Sequence, residues 1–101
     1  MRPFRNLKTE SVIQGELSKI FLRDFDFDGA LVTITGVKVS EDMADAEVKI
    51  SVLPFEKEIE VYKMIEGRRR EVQGKLLRKM NIKPMPRLKF AIDQSSENTA
   101  R

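Results

Sequence analysis

The chain contains no cysteine and no histidine. Without cysteine there is neither a disulfide framework nor a thiolate metal site, which fits a reducing compartment. Without histidine the commonest general base and the commonest metal ligand are both missing. No Ser/His or Cys/His pair can form, and no glycine-rich phosphate loop follows a strand. Carboxylate pairs such as Glu56 and Glu60 sit at helical spacing on a face expected to be wet. Catalysis has little to build on, and the expectation is a non-enzyme without cofactor or metal. No window approaches the roughly 18 apolar residues of a membrane span. Met1-Arg2-Pro3-Phe4-Arg5 leads into a polar stretch without the apolar run of a signal peptide. A soluble, cytoplasmic protein is expected.

What the chain does have is charge, unevenly placed. Of its 101 residues, 41% are hydrophobic and 35% charged, with a net charge of only +3. That length and mix predict one domain, residues 1–101, around one modest core. Residues 24–62 carry ten acidic and three basic groups, whereas residues 63–89 carry ten basic and two acidic. Such polarisation predicts one strongly positive face, the footprint of a polyanion binder.

The hydrophobic pattern gives the elements. Val12, Ile13, Leu17, Ile20 and Phe21 recur at helical spacing, predicting a helix from about Leu7 to Leu22. Leu31 to Val39 is rich in Val, Ile and Thr and reads as a strand. Ser40-Glu41-Asp42-Met43 reads as a turn. Ala46, Val48, Ile50 and Val52 alternate with polar residues, as in a half-buried strand closing an antiparallel hairpin. Pro54 ends that strand. Glu56 to Met80 is helical, with Ile59, Tyr62, Ile65, Val72, Leu76 and Met80 as its apolar face, and with a kink or break at Gly67 or Gly74. Asn81 is a fair helix stop. Leu88, Phe90 and Ile92 make a third strand, and residues 94–101 are expected to form a flexible tail. The order α-β-β-α-α-β, with helices over one face of a three-stranded sheet, is an α+β class and matches a type II KH-like RNA-binding domain.

The candidate binding residues follow from the basic run. Arg68, Arg69 and Arg70 open it, and Lys75, Arg78, Lys79, Lys83 and Arg87 continue it. Arg68, Lys75 and Lys79 are expected on one solvent-facing side of a helix, where guanidinium forks and ammonium groups suit phosphate oxygens. Only Glu66 and Glu71 stand within this stretch to neutralise it. Arg2, Arg5 and Lys8 add positive charge at the N-terminus. The Gly-x-x-Gly clamp of ordinary KH domains is absent, so recognition by shape and phosphate contact is expected. Asp24-Phe25-Asp26-Phe27-Asp28-Gly29 resembles the start of a calcium loop, but Thr35 stands where the bidentate Glu is needed. The better reading is an acidic connection whose Phe25 and Phe27 pack inward.

Three stretches carry a family resemblance. Val37 to Val52 has Val-Ser, Asp, an apolar residue, then Ala and Val at the family's offsets. Met85-Pro86-Arg87-Leu88-Lys89-Phe90-Ala91-Ile92-Asp93-Gln94-Ser95 is similar to Val-Pro-x-Leu-x-Phe-x-x-Asp-x-Ser. Glu16 to Arg23 looks like the end of the family's first helix. On these residues the chain resembles the bacterial ribosome-binding factor A family. The resemblance implies a type II KH-like fold and a non-enzymatic assembly factor. Its partners would be small-subunit rRNA and the free small ribosomal subunit, met during late maturation of that rRNA and left before translation. The sequence departs from the family at its Ala-x-Gly kink, where ungapped alignment places Arg68-Arg69-Arg70, and at its Asp-Pro-Arg connection, replaced by the Asp/Phe loop. The competing expectations are a general structured-RNA-binding module or translational regulator, and a protein-interaction domain docking through acidic residues 41–60. Nothing in the sequence demands a dimer, and a monomer is expected.

Overall fold

The computed structural model describes residues 4–82 and 85–94, with the side chains of Phe4 and Arg5 excepted. The elements are α1 (Phe4–Asp24), β1 (Leu31–Val39), β2 (Asp45–Leu53), a short 3-10 turn (Phe55–Lys57), α2 (Glu58–Gly67), α3 (Arg69–Met80) and β3 (Arg87–Ile92). The α-β-β-α-α-β order expected from the sequence is present. Helix α1 starts one turn earlier than the apolar pattern suggests, because Asn6 and Thr9 are buried polar residues that hydrophobic periodicity does not count.

The sheet order is β1-β2-β3, with β2 in the centre. β1 and β2 pair antiparallel from Leu31 opposite Leu53 to Val39 opposite Ala46, with a bulge between Ile34 and Gly36. β2 and β3 pair parallel, from Asp45 beside Arg87 to Ile50 beside Ile92. The parallel return needs a long crossover, which α2 and α3 supply. The hairpin turn is held by Asp42, whose carboxylate accepts from the Ser40 hydroxyl at 2.7 Å and the Ala44 amide at 3.0 Å. Met43 sits there at φ 65°, a backbone region costly for a side chain, and its burial at 4% exposure offsets that cost.

One sheet face meets the helices. Ile13, Leu17, Ile20 and Phe21 of α1, Val61 and Ile65 of α2, and Val72 and Leu76 of α3 pack on Val48, Ile50, Val52, Leu88 and Phe90. Two positions of the predicted face differ. Val12 is 40% exposed, and Ile59 is 70% exposed while Val61 is fully buried in its place. Val61 and Ile65 lie four apart, on one side of a helix; Ile59 lies six from Ile65, on another. A break at Arg68 (φ −114°, ψ 18°) ends α2 and resets the phase before Val72 and Leu76. Of the two candidate glycines, Gly67 is the last residue of α2, and Gly74 lies within α3, where it does not interrupt the helix. Asn81 closes α3 in the left-handed region at φ 52°, its amide donating to the Leu77 carbonyl at 2.9 Å, as expected of a helix stop. Of the tail expected at 94–101, residues 95–101 lie outside the described residues.

Candidate nucleic-acid interface

Helices α1 and α3 lie side by side, and a groove runs along their seam. Its middle, about 390 Å³, is lined by Glu16, Lys19, Ile20 and Arg23 of α1 and by Lys75, Arg78 and Lys79 of α3. A second recess of about 260 Å³ continues the seam toward the start of α1, between Lys8, Thr9 and Val12 and the residues Met80 and Ile82 that follow it on the other side. Each cation reaches the seam for a local reason. Leu17, Ile20 and Phe21 point α1 into the core, which leaves Arg23 at the margin of that apolar stripe and Lys19 farther round, on the solvent side. Val72 and Leu76 do the same for α3 and leave Lys75, Arg78 and Lys79.

The cations are not equally available. Arg68 and Lys75, expected to face solvent, are instead engaged at the far end of α1. The Arg68 guanidinium donates to the Asp24 carbonyl at 2.8 Å and forks onto Glu71 at 3.1 and 2.6 Å. It also lies 4.0 Å over the centroid of the Phe25 ring. The Lys75 ammonium is 2.7 Å from the Asp24 carboxylate and 3.2 Å from Glu71. These contacts hold the Glu71 carboxyl well below its ordinary value, at about 2, chiefly through the Arg68 hydrogen bonds and then Lys75. Asp24 is likewise pulled down, by Lys75 first and Arg23 second. The same contacts raise Lys75, through Asp24 above all, and Arg68, through Glu71. The physical reason sequence spacing misses this is distance along the chain: Asp24 stands 51 residues before Lys75.

Arg78 and Lys79 are exposed and enter no ion pair among the described residues. Lys19 pairs with Glu16 at 3.5 Å. Arg70 is exposed. Arg69 pairs with Glu66 at 3.5 Å and, with Arg87 and Tyr62, lines a separate recess between α2 and β3. Gln73 sets the entry to β3, its amide donating to the Pro86 carbonyl at 2.7 Å and accepting from the Leu88 amide at 2.8 Å. Arg2 and Lys83 lie outside the described residues, as does the side chain of Arg5. The structure therefore joins Lys8, Lys75, Arg78 and Lys79 along one seam, ties Arg68 to the bend, and sends Arg69 and Arg87 elsewhere. Lys19 and Arg23 were missed as site residues. Only Arg23 has a signal in the sequence: three residues from Ile20, it falls at the margin of the apolar stripe, where a packed helix meets its neighbour, whereas Lys19 lies farther round the helix.

The Asp/Phe loop holds no cation cage. Asp24 turns to Lys75, Asp26 accepts from the Asp28 amide at 2.9 Å, and Asp28 receives Lys57. No group of three acidic residues that could hold a metal occurs among the described residues. Phe25 and Phe27 stack at 5.3 Å and both meet Phe21 edge-on, so the aromatic pair anchors the loop to the core. No helix among the described residues is long and apolar enough to cross a membrane.

A family model described as ribosome-binding factor A matches residues 5–101. The chain belongs to the ribosome-binding factor A family. A ribosome-binding factor A of Coprothermobacter proteolyticus is 31% identical over 102 residues, covering all of this chain and 74% of that protein. One from Opitutus terrae is 29% identical over 98 residues, covering 96% of this chain and 80% of that protein. The crystal structure of ribosome-binding factor A from Thermus thermophilus superposes with a TM-score of 0.73 at 20% identity, over 86% of this chain and 94% of that one. A Thermus thermophilus model fitted into a cryo-EM map of a complex of ribosome-binding factor A with the 30S subunit gives the same score. At that identity the likeness is one of fold, and it agrees with the KH-like order. In this family member the bend between α2 and α3 falls at Arg68, where the family's Ala-x-Gly was expected.

Proposed function

We propose that this ribosome-binding factor A family member is an assembly factor. It binds the free small ribosomal subunit and assists late maturation of its rRNA, and it catalyses no covalent step. RNA phosphates lie along the α1–α3 seam, met first by Arg78 and Lys79 and then by Lys19 and Lys8. The observation that carries this reading is the seam itself: five cations around one groove, two of them exposed and without ion pairs among the described residues. Family membership supplies the partner, since a relative has been placed in a 30S complex. A groove of this kind holds a polyanion by counterion release and by shape, without reading bases. The protein acts in the cytoplasm, as a monomer.

The test is co-sedimentation of the purified protein with free small subunits, large subunits and assembled ribosomes at low and physiological salt. Selective binding to free small subunits, weakened by salt, is expected. An Arg78→Glu/Lys79→Glu variant should lose about tenfold or more in affinity, because two phosphate contacts become repulsive. Equal binding to unrelated structured RNAs would favour a general RNA-binding module. Absence of binding to any ribosomal particle at low salt would overturn the reading.

A further inference from the structure

We infer that Asp24 is a built-in competitor of RNA phosphate: its carboxylate bridges Arg23 and Lys75 and withholds both from a polyanion lying in the α1–α3 groove. The inference rests on the reading of that groove as the RNA site.

A carboxylate presents two anionic oxygens to a cation much as a phosphate does, and guanidinium groups donate to either in the same forked geometry. Asp24 uses both oxygens this way. Oδ1 lies 3.2 Å from Arg23 Nε, and Oδ2 lies 3.4 Å from Arg23 Nη2 and 2.7 Å from Lys75 Nζ. Arg23 and Lys75 come from different helices, so Asp24 sits between the two walls of the groove at one end of it. The competitor is also fixed in place. Its side chain is only 19% exposed, and its backbone carbonyl is held by the Arg68 guanidinium. An intramolecular anion held in contact acts at a high effective concentration, which a dissolved phosphate must overcome. The other acids at the groove are weaker candidates. Glu16 pairs with Lys19 on its own helix, at 3.5 Å, and Glu71 is 45% exposed and shared with Arg68. Among the described residues, Asp24 alone joins cations across the seam. Of the five groove cations it takes two, and the affinity of the groove for any RNA is set by those that remain.

A purely structural role for Asp24, joining α1 to α3, predicts that its removal weakens RNA binding. Competition predicts the opposite sign. The experiment measures binding of an unrelated RNA hairpin to the full chain by fluorescence anisotropy over a salt series, with circular dichroism checking the fold. Asp24→Asn should bind about three- to tenfold more tightly at low salt, with a steeper salt dependence worth about one to two further phosphate contacts. Adding Lys75→Met should abolish most of the gain. Unchanged or weaker binding by a folded Asp24→Asn chain would overturn the inference. Should that variant not fold, the wild-type chain still decides. The Lys75 ammonium signal in nitrogen-15 NMR should hold its position while that of Lys79 moves on adding the hairpin, and equal movement of the two would overturn the inference. Arg78→Glu/Lys79→Glu runs alongside. If that pair leaves hairpin binding intact, the groove reading itself fails; if it abolishes binding while Asp24→Asn brings no gain, only the competition fails.

Discussion

Arg68 meets three partners at once: the Phe25 ring, the Asp24 carbonyl and the Glu71 carboxylate. A lysine at this position would keep the charge but lose the planar fork and the flat stacking surface. Arg68→Lys is expected to lower the melting temperature by roughly 4–8 °C in a domain of this size, measured by thermal unfolding at neutral pH. Glu71 carries the pH signature of the same cluster. Its folded value of about 2 lies below the ordinary 4.5, so its contribution to stability is complete above pH 4.5. It is lost as pH falls from there toward about 2. Asp24 is depressed for the same kind of reason and adds to the loss at the acid end. Glu71→Gln should therefore be less stable than wild type at pH 7, with the gap closing as pH is lowered through this window. A gap independent of pH would show that the Glu71 charge contributes nothing.

At the scale of elements, helix and strand identities were legible wherever apolar residues recur with one period. Val48, Ile50 and Val52 lie on the inner face of β2 for that reason. The face of α2 is not legible, because a continuous stripe from Ile59 to Met80 runs through residues that belong to two helices with different phases. Ile59 entered that stripe and Val61 did not, although Val61 is the buried one. The partner of Lys75 was illegible for a second reason: Asp24 comes from another helix, and charge counted along residues 63–89 cannot see it. Gly15 allows a direct test of element energetics. It is exposed in the middle of α1, and a Cβ there would meet nothing within 4 Å. Gly15→Ala should raise the melting temperature by about 2–8 °C, since alanine is favoured over glycine in a helix interior by about 0.5–1 kcal/mol. Gly29 is the contrasting case. At φ 84°, a side chain there is strained whatever the space, and Gly29→Ala should lower the melting temperature.

On the scale of the whole molecule, the segregation of charge read from the sequence becomes a seam on one side. The acidic stretch supplies the anion at its end. Only half of this was visible in advance. The basic run predicted a positive surface, but packing decides which cations face it, and packing divides Arg69 and Arg87 from Arg78 and Lys79. Helix α1 ties these parts together. Near its start the Asn6 side chain donates to the Ser40 carbonyl and Glu10 accepts from the Val39 amide at 2.7 Å, both at the hairpin. At its end Asp24 is held by Arg68 and Lys75. A helix of 21 residues spans about 30 Å, so it is a strut clamped at two distant points with its apolar side glued down between them. Between Asn6 and Asp24 such a strut cannot fray without first breaking a tertiary clamp. Amide protons in its middle, from Ile13 to Ile20, should then exchange with solvent deuterium only through global unfolding. In Arg68→Lys, the last turn before Asp24 should exchange first.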